Sequence, residues 1–213
     1  SAAEGSCETA PDNPSMVNAT DQASVKAASI QAGAAKSDAY NPPVMRILLV
    51  KTSSLGDVIH NLPVASDIRR ALPQAEIDWV VEENFAEIPR LHPAVRRVLL
   101  VAVRRWRKAP LAPATWQAVG NYRRLASAEF YDAVLDTQGL LKSALLAVPA
   151  RGTKLGYAMD SAREPLAARF YDRRFSIPKD LHAVERNRRL AAAALGYALD
   201  ALPLDYGVAA PPL

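Results

Sequence analysis

The chain has a single cysteine, Cys7, which excludes an internal disulfide framework and a cysteine-based zinc site. One thiol also fits a reducing compartment. His60, His92 and His182 have no metal-ligand spacing. No G-x-G-x-x-G, Walker loop or nucleophile elbow occurs, which removes the usual dinucleotide, P-loop and serine-hydrolase readings. No apolar run approaches the ~18 residues of a membrane span. The first residue is Ser1, and no charged region precedes an apolar one as in a signal peptide. There are no internal repeats.

The 213 residues are 50% hydrophobic and 23% charged, enough for one packed domain or two small ones. The net charge of +4 is unevenly spread. Glu4, Glu8, Asp12, Asp21 and Asp38 outweigh Lys26 and Lys36 in residues 1–44, a balance of −3 that leaves +7 for the rest. A basic domain points to nucleic acid, an anionic membrane surface or a phosphorylated substrate. Residues 1–44 are rich in Ala, Ser, Asn, Asp and Pro, with few large aliphatic side chains. They bury too little surface to offset chain entropy and read as a disordered or non-native leader. Asn41-Pro42-Pro43 marks the boundary. The folded domain is expected over 45–206, and 207–213 reads as linker.

From Met45 onward, strand and helix patterns alternate, which predicts a parallel sheet covered on both faces. Strands are expected at Ile47–Lys51, Ile77–Val81, Arg97–Val101, Tyr131–Asp136, Lys154–Tyr157 and Phe175–Ile177. Helices are expected at Asp57–Leu72, Phe85–Arg90, Thr115–Ser127, Leu140–Val148, Pro165–Tyr171 and Ala183–Leu195, the last closed by Gly196.

Three strand-to-helix turns carry candidate chemistry. In the first, Lys51 leads into Thr52-Ser53-Ser54-Leu55-Gly56 and then Asp57. A loop at the carboxyl end of a strand lies where open α/β sheets bind ligands. Asp57 is either a helix N-cap or a carboxylate placed to take a proton from an attacking hydroxyl. A helix start stabilises the carboxylate and so weakens it as a base. Thr52, Ser53 and Ser54 offer hydroxyls and backbone N–H groups, and Gly56 permits close approach. In the second turn, Arg104, Arg105, Arg107 and Lys108 surround Trp106 just past the third strand, either as an anion site or as a solvated charge run. In the third, Asp136-Thr137-Gln138-Gly139 precedes Lys142, with Gln138 placed for a sugar hydroxyl or for turn capping. Arg163 and Arg186 add cations at two further helix starts.

From Met45 to about Tyr206 the chain resembles the ADP-heptose lipopolysaccharide heptosyltransferases, and among them the type that adds the first heptose to the inner core. The resemblance rests on VKTSSLGDVIHNLP (Val50–Pro63), IDWVVEE (Ile77–Glu83), VRRWRK (Val103–Lys108), YDAVLDTQGLLKSA (Tyr131–Ala144), AREPLA (Ala162–Ala167) and HAVERNR (His182–Arg188). It implies the amino-terminal half of a GT-B glycosyltransferase, a Rossmann-like sheet that binds the Kdo-lipid A acceptor. The donor, ADP-heptose, is bound by a second domain. Asp57 matches the family's general base, in an inverting transfer without metal or cofactor. Arg104, Arg107, Lys108, Arg163 and Arg186 match positions that hold the anionic acceptor. Lys51, Thr52, Ser53, Ser54, Gly56, Arg105 and Gln138 complete the expected acceptor site. The family continues for a second domain of comparable size, so this chain is expected to be the acceptor half, unable to transfer heptose alone. The implied location is cytoplasmic, peripheral to the anionic inner membrane. Competing readings are a non-catalytic module for anionic lipid A or membrane surfaces, and a related transferase acting later in the core. Nucleic acid is disfavoured, because only one aromatic interleaves the basic run.

Overall fold

The computed structural model describes residues 44–208. All but the last residue of the leader expected over 1–44, and most of the linker expected over 207–213, lie outside the described residues.

The first strand, β1 (Arg46–Val50), is buried on both faces, with Ile47 to Val50 all at 0% exposure. A continuous apolar run of this kind is what the centre of a parallel sheet demands. Two helices follow, α1 (Leu55–Ile59) and α2 (Leu62–Ala71), then β2 (Glu76–Glu82). A 3₁₀ turn (Glu83–Phe85) and α3 (Glu87–Arg90) lead to β3 (Val95–Val101). Next come α4 (Val103–Lys108), α5 (Pro113–Ser127), β4 (Phe130–Asp136) and α6 (Leu141–Ala147). β5 (Arg151–Tyr157), a 3₁₀ segment (Pro165–Phe170), β6 (Arg173–Phe175) and α7 (Ala183–Leu195) complete the domain.

All strand pairs are parallel, in the order β3-β2-β1-β4-β5-β6. This is the doubly wound Rossmann order, and the α/β expectation holds. On one face Ile47, Leu49, Ile77 and Trp79 pack with Val64, Ala65 and Ile68 of α2 and Leu190 of α7. On the other, Leu48, Val50, Val80 and Val134 pack with Tyr122 and Ala126 of α5 and Leu146 of α6. Alternation along each strand sends neighbouring side chains to opposite layers. At the β4–β5 pairing the register shifts between Tyr131 and Ala133. Gly152 sits there at φ +138, where a Cβ would lie 1.8 Å from the Tyr131 carbonyl oxygen. The chain leaves β1 toward β2 on one side and later returns to β4 on the other. The β1–β4 boundary is therefore the switch point at which such sheets form a crevice.

Several expectations need correction. The helix expected over Asp57–Leu72 is two helices, broken at His60–Asn61, because Pro63 fits only the first turn of the second. The basic run after the third strand is the helix α4. Its first N–H groups, those of Val103 and Arg104, donate to the Glu82 carboxylate at 3.3 and 3.0 Å. The last strand lies at Arg173–Phe175, two residues earlier than expected, paired with β5. The α7 helix has the expected bounds and ends on Gly196 at φ +78.

Candidate active site

The crevice is floored by two loops tied together across the β1–β4 boundary. Gln138 makes the tie. Its Oε1 accepts from the Thr52 N–H (2.7 Å) and hydroxyl (2.8 Å), and its Nε2 donates to the Ser53 carbonyl (2.8 Å). Asp136 shapes the second loop. It accepts from the N–H groups of Gln138 (2.8 Å) and Gly139 (3.2 Å) and from the Tyr171 hydroxyl (2.7 Å). Burial pushes the Asp136 carboxyl above its ordinary pKa despite these donors. Gly139 takes φ +66, and a Cβ there would press on the Tyr157 ring at 3.0 Å. Lys142 reaches back to donate to the Ser53 hydroxyl at 2.8 Å.

Beneath the mouth lies Lys51, only 3% exposed. Its ammonium donates to the Thr137 carbonyl (2.9 Å) and to Asn187 Oδ1 (3.4 Å). The same Asn187 oxygen accepts from the Tyr157 hydroxyl at 3.2 Å, and Asn187 Nδ2 donates to the His60 carbonyl at 3.3 Å. Burial brings the Lys51 pKa down to about 8, against the opposing pull of the Asp57 carboxylate.

Asp57 occupies the first turn of α1, and its side chain is 14% exposed. Its Oδ2 accepts from the Ser54 N–H (3.1 Å), the Ser54 hydroxyl (3.4 Å) and Arg163 Nη1 (3.2 Å). The N-cap itself is Ser54; Asp57, three residues on, closes the capping box with Oδ2 and leaves Oδ1 without a partner among the described residues. Partial burial would raise the Asp57 pKa. The Lys51 ammonium, the Ser54 N–H and Arg163 outweigh it and hold the carboxyl below its ordinary value.

Arg163 and Arg186 wall the crevice with Tyr157. The Arg186 guanidinium stacks 5.0 Å from the Tyr157 ring centre and donates to the Ser161 carbonyl at 2.6 Å. The enclosed space is only about 20 Å³, so a sugar would sit across the mouth rather than inside it. Among the described residues no cluster of three His, Cys, Asp or Glu side chains could hold a metal.

The structure thus brings together Lys51 and Asp57 of the first turn with Arg163 and Arg186, from three separate parts of the chain. Ser54 and Gly56 lie exposed beside Asp57. Other expected site residues are placed differently. Gln138 lines the crevice, but at 2% exposure its amide is already bonded to the first loop. Thr52 and Ser53, at 1% and 6% exposure, face inward as part of the same clamp. Arg104, Arg105, Arg107 and Lys108 are exposed on α4, beyond an edge strand separated from β1 by β2, and none contacts Asp57. Arg104 stacks on Phe85 at 5.5 Å, and Arg105 pairs with Glu83 at 2.9 Å. Asn187, Tyr157 and Thr137 were not singled out from the sequence. Asn187 lies within the HAVERNR run and Thr137 within the Asp136–Gly139 turn, the signals that pointed to them.

The family model described as glycosyltransferase family 9 (heptosyltransferase) matches residues 121–212. The chain is 51% identical over 166 residues to lipopolysaccharide heptosyltransferase 1 of Escherichia coli K12, covering 78% of this chain and 52% of the relative. It is 52% identical over 170 residues to the Pseudomonas aeruginosa protein of the same name, covering 77% and 46%. The solved structure of E. coli heptosyltransferase WaaC with ADP superposes with a TM-score of 0.74 at 50% identity, covering 76% of this chain and 51% of that one. The chain spans about half the length of the curated relatives it matches.

Proposed function

The chain is a relative of the heptosyltransferases of glycosyltransferase family 9, and we propose on that premise that its folded domain presents the acceptor, Kdo-lipid A, to ADP-heptose held by a donor-binding domain. The observation that carries this reading is the divided carboxylate of Asp57. Oδ2 is fixed by Ser54 and Arg163, while Oδ1 is left to accept a proton. In the reaction, a Kdo hydroxyl attacks the anomeric carbon of heptose. The new C–O bond forms as the bond to ADP breaks, with inversion at carbon. The hydroxyl proton passes to Asp57 Oδ1.

The cations and the Ser54 N–H around Asp57 hold its pKa below the ordinary value. The group is ionised at neutral pH but is a weak base toward a free alcohol. Proton transfer therefore follows C–O bond formation, when the attacking oxygen has become acidic. Arg163 orients the carboxylate and, with Arg186, offers guanidinium groups to the acceptor's carboxylates. The exposed cations of α4 serve acceptor phosphates further from the reacting centre. The reading requires no metal or cofactor. It sets the protein at the cytoplasmic face of the inner membrane, where a lipid-anchored acceptor is presented.

The test is transfer from ADP-heptose with this chain joined to the donor-binding half of a heptosyltransferase 1. Asp57→Asn should lower kcat by about 10²–10⁴-fold while acceptor KM changes little. Undiminished turnover in that variant would remove Asp57 from the mechanism.

A further inference from the structure

A concavity that the Asp57 site does not use lies between α4, α5 and the end of α6. Two depressions, of about 280 and 300 Å³, share Trp106 and Val119 and so form one furrow. Its walls are mostly apolar, with Trp116 and Pro110 at one end and Leu145 and Val148 at the other, and Arg107 and Arg123 among them. The edges are unusually bare for a protein surface. Trp116 is 63% exposed, Leu145 51% and Val148 49%, and Leu111, the residue after the lining Pro110, is 88% exposed. Contiguous exposed apolar surface of this kind marks an interaction site.

The charge around it has one sign. Residues 103–127 carry Arg104, Arg105, Arg107, Lys108, Arg123 and Arg124 and not one Asp or Glu. Among the described residues, the carboxylates that bond to α4 are Glu82, which takes the helix's first N–H groups, and Glu83, which pairs with Arg105. Apolar side chains with an indole among them, rimmed by guanidinium and ammonium groups, match the layering of a lipid surface. Acyl chains lie beneath and anionic phosphates above. Nucleic acid would satisfy the cations but not Leu111, Leu145 and Val148. No helix among the described residues is long and apolar enough to cross a membrane, so the contact would be from one side.

We propose that this furrow docks on an anionic lipid bilayer, with Leu111 and Trp116 entering the acyl boundary and Arg107, Lys108 and Arg123 meeting lipid phosphates. The inference deepens the acceptor reading and rests on it for its setting, since a membrane-bound acceptor must be met at the bilayer. The surface itself is defined independently of Asp57.

The test is partition of the full chain onto vesicles of phosphatidylcholine with and without phosphatidylglycerol. Binding is expected only with the anionic lipid and should weaken with salt. Trp116→Gln and Leu111→Asn, both at exposed positions, should each keep the circular dichroism spectrum. Together they should lower vesicle affinity at least ~10-fold. Arg123→Ala should lower it less. Brominated lipids should quench tryptophan fluorescence in the wild type and less in Trp116→Phe, where the remaining quenching comes from Trp106 in the furrow, since Trp79 is fully buried. Four results would overturn the proposal: no vesicle binding; full binding by the double apolar variant; displacement of vesicles by a single-stranded oligonucleotide with the apolar variants unaffected; or a solution dimer that Trp116→Gln dissociates, which would assign the furrow to a second copy. Asp57→Asn should dock normally. Docking without Asp57-dependent transfer would therefore sink the catalytic reading alone. Transfer to a delipidated acceptor without docking would sink this one alone.

Discussion

The two ends of the sheet handle charge in opposite ways. At the amino-terminal end, Arg46, Arg96 and Arg97 meet Glu76, Asp78 and Glu129, three cations against three carboxylates. Asp78, 1% exposed, accepts from both Arg96 and Arg97 and from the Tyr131 hydroxyl at 2.7 Å. Charge and hydrogen-bonding capacity there are closed. At the carboxyl end, Lys51, Arg163 and Arg186 surround one crevice-lining carboxylate, Asp57, which keeps an oxygen free. Equal numbers make a structural clamp. An excess of cations over a half-used carboxylate makes a site that an anionic ligand would complete.

The comparison breaks if the closed end proves dispensable. Asp78→Ala leaves two guanidinium groups and a buried hydroxyl without their shared acceptor. It should cost about 3–5 kcal/mol in urea unfolding, the scale for breaking a buried ion pair from one side. The remaining folded fraction should bind acceptor normally. A loss below ~1 kcal/mol would mean that the cluster is no more than a solvated surface network.

Lys51 sharpens the other side. Its folded pKa, about 8, lies below the ordinary 10.5. Below both values the buried ammonium is a cost to the fold. Between about 8 and 10.5 the unfolded chain holds a proton that the folded chain has released, so stability should climb with pH across that window. The full gain is on the order of 3 kcal/mol, and Lys51→Met should flatten it. Asp57 has the opposite linkage at the acid end. Its lowered pKa contributes stability that is complete above the ordinary carboxylate value and is lost as pH falls through the folded value. Arg163→Ala should move the acid limb of a pH–rate profile upward, because a cation holding the carboxyl down has gone.

A smaller effect is expected at Gln138. Gln138→Leu orphans the Thr52 N–H and the Ser53 carbonyl, at about 1–3 kcal/mol for a buried group left unpaired. Because the first loop would loosen, turnover should fall with stability. Were Gln138 a sugar ligand instead, KM would rise and the unfolding midpoint would stay put.

Gln138 also shows where reading from sequence ends. β1 and α7 were legible because their determinants are local: an unbroken apolar run, and a 3.6-residue period closed by Gly196. The break between α1 and α2 was signalled by Pro63 but masked by the apolar spacing that continues across it. The helical state of Arg104–Lys108 was hidden because its cap is Glu82, on the neighbouring strand and far from the helix in sequence. Asp57 was visible as the end of a strand-loop-helix turn. Its partners were not, since Arg163 lies 106 residues away and meets it only through the parallel crossovers. Lys51 reads from sequence as an acceptor-site cation, and only the fold shows the Thr137 carbonyl and Asn187 that hold it buried.

The mildest change tests whether the cations of α4 belong with the open end. Arg105 and Glu83 form an ion pair with side chains 66% and 40% exposed. Such pairs contribute little, so Arg105→Ala should cost under ~1 kcal/mol of stability. A weak, solvated partner is also an exchangeable one: Arg105 can leave Glu83 for a phosphate at small cost, which Arg96 and Arg97 cannot do with Asp78. Titration of the chain with inorganic phosphate or an acceptor fragment should therefore separate the two classes. Arg105→Ala should weaken binding by more than it weakens the fold. If it weakens the fold and leaves binding untouched, α4 belongs with the closed clamp, and the carboxyl end owes its open charge to the Asp57 crevice alone.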